Sequence, residues 1–225
     1  MQKGSKKYYG KQGEYLHEHA LYLQQADLQK DLDFIVKALG IKKHKPVLDI
    51  ACGQGRHVHG FTRRGYSVDG VDFSSYFLAM AKKTTDKSLK IQPTFYRSDI
   101  KKFVGKKKYT YAYWFFSDLA DIDLPKALQA ISRNLEVGGR LLLDTDSIFR
   151  LLSFLEKHKK SSLVFDAQRM ELMDTEHDSV IPYPVFFQWQ AWLKEAGLRI
   201  ERVIGDYQFQ PYSVSSPRLI MIIKK

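Results

Sequence analysis

Residues 47–57 read Val-Leu-Asp-Ile-Ala-Cys-Gly-Gln-Gly-Arg-His, a short apolar run with one acid that ends in two glycines. The run is a buried strand by composition, and Gly53 and Gly55 make a tight turn that lets a ligand approach backbone N–H groups. A helix is expected from about Arg56 to Arg64, with its N-terminus facing the turn and favouring a carboxylate there. Upstream, Leu28, Leu32, Ile35, Val36 and Leu39 recur at helical spacing before Gly40, so a helix over Leu28 to Leu39 precedes the strand.

Downstream the alternation continues. Tyr66 to Phe73 reads as a second strand, Ser75 to Lys83 as a serine-capped helix, and Thr94 to Arg97 as a short third strand with Asp99 just beyond it. Tyr109 to Phe116 suits a strand buried on both faces, and Pro125 to Leu135 a helix stopped by Gly138-Gly139, followed by a strand from Arg140 to Asp144. Val185 to Ala196 is a helix with Gly197 as its cap, and Leu198 to Phe209 and Arg218 to Ile223 form an antiparallel hairpin at one sheet edge. The predicted fold is α/β: a Rossmann-like, mainly parallel sheet with helices on both faces and a C-terminal hairpin. One domain over 1–225 is expected, with a helical cap over about 1–45 and an irregular insertion over about 147–184. Within that insertion Leu163 to Phe165 and Met170 to Met173 are short strands or parts of a lid.

The 225 residues are 44% hydrophobic and 27% charged, the composition of a globular chain with one sizeable core. No early charged segment leads into an apolar stretch, and the longest apolar run, Tyr109 to Phe116, is too short to cross a bilayer, so a cytoplasmic protein without a membrane partner is expected. Cys52 is the single cysteine, which excludes an intrachain disulfide and a multi-cysteine zinc site; no metal is expected. A net charge of +11 suits a polyanionic partner, yet the clusters at Lys42 to Lys45, Lys106 to Lys108 and Lys157 to Lys160 fall at expected helix ends and turns, where cations are solvated.

In an open α/β sheet the ligand crevice lies beyond the carboxyl ends of the strands. Asp49, Asp72 and Asp99 stand at or beside three successive exits, and a carboxylate at Asp72 can accept hydrogen bonds from both hydroxyls of a ribose. A nicotinamide or flavin fingerprint would place a small residue where this chain has Val58, and it does not include the acid before the glycines.

These segments resemble the class I S-adenosylmethionine (SAM)-dependent methyltransferases. VLDIACGQGRH (47–57), GYSVDGVDFS (65–74) and RSDI (97–100) look like that family's first three motifs, in order and spacing. LEVGGRLLLDT (135–145) and the closing EAGLRIERVIGDYQFQPYSVSSPRLIMI are similar to its small-molecule branch. The resemblance implies SAM as cofactor, with Asp49, Ala51, Gly53 and Gly55 around its methionine part and Asp72 on its ribose. It further implies Phe73 on the adenine, Asp99 and Ile100 at the adenine edge, and Trp114 and Phe115 beside the sulfonium.

Methyl transfer from a sulfonium needs in-line alignment, and a general base only when the acceptor is protonated. His57, Asp118, His17 and His19 are the candidate bases; each has a plain alternative, His57 as a helix-opening residue and Asp118 as a turn cap. Cys52 reads as a small buried spacer. Tyr8, Tyr9 and Tyr15 precede the first helix and either fold over the cofactor, as the resemblance implies, or belong to a disordered N-terminus. The expected partner is a small-molecule methyl acceptor. An RNA or other nucleic-acid methyltransferase is the rival, disfavoured because SDLADI (117–122) stands where exocyclic-amine methylases carry an Asn/Asp-Pro-Pro-aromatic tetrapeptide. A non-catalytic SAM-binding protein is the second rival.

Overall fold

The computed structural model describes residues 8–11, 13–15, 27–117, 119–158 and 162–225. His17, His19, Asp118, Lys159, Lys160 and Ser161 lie outside the described residues.

Helix α1 (Leu28–Leu39) starts where Asp27 accepts the N–H groups of Gln29 and Lys30 at 3.1 Å each, and it ends at Gly40, whose φ of +64° suits a residue without a Cβ. Strand β1 (Val47–Ile50) is buried throughout and feeds α2 (Arg56–Arg63). Then follow β2 (Val68–Asp72), α3 (Ser75–Lys83) capped by Ser74, β3 (Phe95–Arg97), a 3-10 turn at Ile100–Lys102, and β4 (Tyr109–Trp114). Helix α4 (Leu124–Asn134) opens on Asp123 with Pro125 in its first turn, and β5 spans Leu135–Asp146. The chain closes with α5 (Ile148–Lys157), β6 (Leu163–Asp166), β7 (Glu171–Asp174), β8 (Ser179–Pro182), α6 (Phe186–Glu195), β9 (Arg199–Ile204) and β10 (Arg218–Lys224).

The main sheet has the order β3-β2-β1-β4-β5-β10-β9; β1 through β5 are parallel and β10 is antiparallel to both its neighbours. Alternate residues of the central strands feed two cores. Tyr111, Tyr113 and Leu142 pack under α1 and α2, whereas Ala112, Trp114, Leu141 and Leu143 pack under α4 and α6. Burial on both faces is why these strands read as continuous apolar runs.

The α/β class and the hairpin stand as expected. Gly138-Gly139 is a correction. The helix ends at Asn134, whose side-chain amide donates to the Ala130 and Phe103 carbonyls, and strand β5 begins at the next residue. Gly138, at φ +79°, bends the strand where the register against β4 shifts, and its N–H donates to the Lys225 carbonyl. The region 147–184 is more regular than its sequence suggests: it contains α5 and a separate antiparallel sheet β6-β7-β8. Asp121, in the loop after β4, ties this small sheet to the main one, because its N–H donates to the Val180 carbonyl and its carboxylate accepts from the Val180 N–H. Among the described residues no helix is long and apolar enough to cross a membrane.

Candidate functional site

The exits of β1, β2 and β4, with the turn after β3, surround a first cleft of about 930 Å³, its open mouth included. Ala51 and Gly53 form one wall, Asp72 and Phe73 a second, Asp99 and Ile100 a third, and Trp114 and Phe115 the floor. Gly53 takes φ +53° and its N–H donates to Asp72 Oδ2 at 2.9 Å, while the Ser74 N–H donates to Oδ1 at 2.7 Å. Asp72 thus fixes the glycine turn to the second strand. Burial raises its carboxyl above the usual range, and these N–H donors oppose the rise. Gly55, at φ +78°, begins α2 where a Cβ would stand 3.0 Å from His59 Nε2 and 3.1 Å from the Phe95 ring. Its missing side chain lets the turn close.

Three residues other than glycine line this cleft with left-handed backbones: Ala51 (φ +56°), Phe116 (φ +51°) and Asp121 (φ +57°). Each conformation costs about 1–3 kcal/mol, and such strain concentrates at ligand sites. Tyr9 and Tyr15 cover the opening. Tyr9 sits edge-on to Phe73 with ring centroids 5.5 Å apart, and its carbonyl accepts a hydrogen bond from Ser74 Oγ at 2.8 Å. Tyr8 instead reaches the small sheet, edge-on to His177 at 5.1 Å.

Asp49 lies beneath the turn and not in the cleft wall. Its Oδ2 and the Tyr113 hydroxyl are both buried without a hydrogen-bond partner of ordinary geometry. Desolvation pushes the Asp49 carboxyl well up, and the charge of Asp72 adds to that; Tyr113 and Arg56 work against it. Cys52 is buried and its thiol is pushed well up by the same desolvation, so it is held as a thiol and serves as a spacer under Gly70.

A second, wider cleft adjoins the first and shares Tyr15, Phe116 and Ser117 with it. Its walls come from α1 through Asp31, the β5 exit through Thr145 and Asp146, the small sheet through Ile181 and Pro182, and the β9–β10 connection through Asp206 and Tyr207. Below it Asp144 is wholly buried. It accepts from Arg218 Nε at 2.8 Å, the Tyr207 hydroxyl at 3.0 Å and the Phe116 N–H at 3.0 Å, so one carboxylate fixes the boundary between the two clefts. Arg218 also pairs with Asp146, and both carboxylates raise its pKa against the opposing effect of burial.

Residues 47–139 match the model of a family described as the methyltransferase domain. Over that stretch the chain carries a methyltransferase domain. It is 22% identical, across 89% of its length and 91% of the other's, to a protein of Geobacillus sp. (strain WCH70) that bears a provisional methyltransferase name. Its fold resembles that of a SAM-dependent methyltransferase from Clostridium acetobutylicum ATCC 824, with a TM-score of 0.72, 18% identity, and 94% and 97% of the two chains covered. It also resembles the CcbJ methyltransferase from Streptomyces caelestis, with a TM-score of 0.71, 14% identity, and coverage of 97% and 98%.

Of the residues singled out in the sequence, Ala51, Gly53, Asp72, Phe73, Asp99, Ile100, Trp114 and Phe115 meet around the first cleft, and Asp49 and Gly55 support it from behind. Asp99 keeps its exit rigid by accepting the Lys101 N–H at 3.0 Å. His57 lines neither cleft. Its ring is buried 2.9 Å from Arg56 Nη2 and 3.4 Å from Asp31 Oδ2, and burial lowers its pKa. Sequence reasoning missed Asp31, Asp144 and Arg218. Asp144 follows the same strand-exit logic as Asp49 and Asp72, and Asp31 is an acid set among the apolar positions of α1; those were the available signals.

Proposed function

We propose that the chain transfers a methyl group from SAM, held in the first cleft, to a small molecule held in the second. The carrying observation is that the two clefts share Phe116 and Ser117 at the β4 exit, where an acceptor can meet the reacting end of the cofactor. In this reading Gly53 and Ala51 lie against the methionine part, Asp72 takes the ribose hydroxyls, and Phe73, Asp99 and Ile100 take the adenine. Bound SAM would supply an electrophilic methyl on a sulfonium. The protein's own work is alignment and exclusion of water: Trp114 and Phe115 floor the cleft, Tyr9 and Tyr15 close over it, and Asp144 fixes the backbone of Phe116. With His57 turned into the protein, an acceptor that binds already deprotonated requires no base.

Charge placement favours a small molecule over a nucleic acid. Of the three lysine clusters, Lys42 to Lys45 precede β1 and Lys106 to Lys108 precede β4, so these two stand at the end of the sheet opposite the clefts. Lys107 is spent on Asp69 at 2.8 Å, and Lys108 donates to the Arg133 carbonyl. The second cleft presents Asp31, Asp146 and Asp206, and its cations Arg150 and Arg218 are paired with carboxylates. A phosphate backbone is poorly received there. Incubation with labelled SAM and fractionated cell extract should place label in the small-molecule pool. Label confined to RNA, and lost when Lys106 to Lys108 are changed to Gln, would overturn the reading.

A further inference from the structure

The second cleft does not end at Tyr183. Thr145, Asp146, Pro182 and Tyr183 also border a groove of about 760 Å³ that continues between α5, β8 and the start of α6. Its other walls are apolar: Phe149 and Leu152 from α5, Val185 and Phe186 from α6, and Leu219 from β10. Four of these, Phe149, Leu152, Val185 and Phe186, are at least 36% exposed, a concentration of large apolar side chains that a chain does not leave in water without a reason. Helix α5 has only Leu151 buried, so it contributes little to the core and most of its apolar surface is left to face the groove and solvent.

Trp189 borders the groove and is completely buried, yet its Nε1 has no hydrogen-bond acceptor. The indole therefore forms part of the inner wall of the groove, where it reports on an occupant.

Resting on the small-molecule reading above, we propose that the methyl acceptor is amphipathic: its reacting polar end lies in the second cleft and an apolar arm of several carbons lies in this groove. Because the groove shares the walls Thr145, Asp146, Pro182 and Tyr183 with the second cleft, the acceptor itself is the occupant we assign to it.

The alkanamides from butanamide to decanamide are the probe, since each offers a carbonyl and a chain of known length. Calorimetric titration of the whole protein should show affinity rising about fourfold per added methylene until the groove is full, from about 0.8 kcal/mol per CH2. In ¹⁵N spectra, one of the three tryptophan indole signals should move with binding. It is assigned to Trp189 by Trp189→Phe or, if that variant does not fold, by elimination with Trp192→Phe and Trp114→Phe. Leu152→Glu, at a 45% exposed rim position, should weaken decanamide at least tenfold while leaving affinity for S-adenosylhomocysteine (SAH) within twofold. Affinity independent of chain length, a Trp189 signal that does not move, or a dimer in sedimentation that Leu152→Glu dissociates would each overturn the proposal. Labelled SAM separates this from the reading beneath it: label in solvent-extractable molecules, reduced by Leu152→Glu, supports the arm. Label in strictly water-soluble small molecules, unaffected by Leu152→Glu, defeats the arm alone. Label only in RNA defeats both.

Discussion

Asp72→Asn separates two tasks that one carboxylate is proposed to perform, and Asp69→Asn on the same strand supplies the comparison. A carboxylate has about four acceptor sites, and in Asp72 two are taken by the Gly53 and Ser74 N–H groups, which leaves two for a ribose diol. An asparagine in the same pose has one oxygen, so one of those two N–H groups faces an NH2 and loses its partner. That costs roughly 1–3 kcal/mol of stability. The ribose contact loses its charge as well, worth about 1.5–3 kcal/mol, and SAH affinity should fall between about tenfold and a hundredfold. Asp69 accepts the Thr94 N–H at 2.9 Å and the Tyr109 hydroxyl at 3.0 Å, pairs with Lys107 and lines neither cleft, so Asp69→Asn should lose at least as much stability and bind SAH within twofold of the parent. Urea titrations give the stabilities and calorimetry at a temperature where every variant is folded gives the affinities. If Asp72→Asn binds SAH as tightly as Asp69→Asn does, Asp72 only braces the turn and the ribose assignment is wrong.

Asp49 has a folded-state pKa raised well above its unfolded value, so the stability it contributes is complete at pH values below the usual carboxylate range and is lost as pH rises through the folded value. Asp49→Asn should therefore melt higher than the parent at pH 7 and show no such gain near pH 3; a gap that narrows with rising pH contradicts the burial argument. Arg218→Met strands the buried Asp144 carboxylate and should cost about 3–5 kcal/mol in urea, of which the double variant Arg218→Met/Asp144→Asn recovers a large part, and equal losses for the two would show that the pair is not coupled. Ser74→Ala removes the α3 cap, about 1 kcal/mol, and also the hydrogen bond to the Tyr9 carbonyl, so SAH should dissociate faster by several-fold; an unchanged off-rate would mean that the tyrosine segment does not cover the cofactor.

Elements whose signals are local were legible in the sequence. Ser74 and Gly40 act as caps through bonds that span only a few residues, and the β1 turn carries its own glycines. Helix α5 was not read although Ser147 caps it through the Phe149 N–H, because an apolar stripe that packs on little core leaves a pattern resembling an irregular insertion. Strand β5 was read five residues short at its start, since two adjacent glycines signal a helix stop and a strand bend in the same letters. Only the register against β4 distinguishes them.

The same division separates the two clefts. The proposed cofactor residues come from strand exits that a parallel sheet must align along one edge, so the order Asp49, Asp72, Asp99 is enough to place them together before any contact is known. The second cleft has no such rule. Asp144 meets Arg218 across 74 positions of sequence and Asp31 meets His57 across 26, pairings created by the antiparallel return of β10 and by the packing of α1 on α2. A rule that depends on strand direction alone yields the donor side, whereas the acceptor side depends on which distant segments fold back over it. That is why the first was readable from one sequence, whereas the groove proposed for the acceptor's arm is bordered by Trp189, α5 and the small sheet, segments that no local pattern places together.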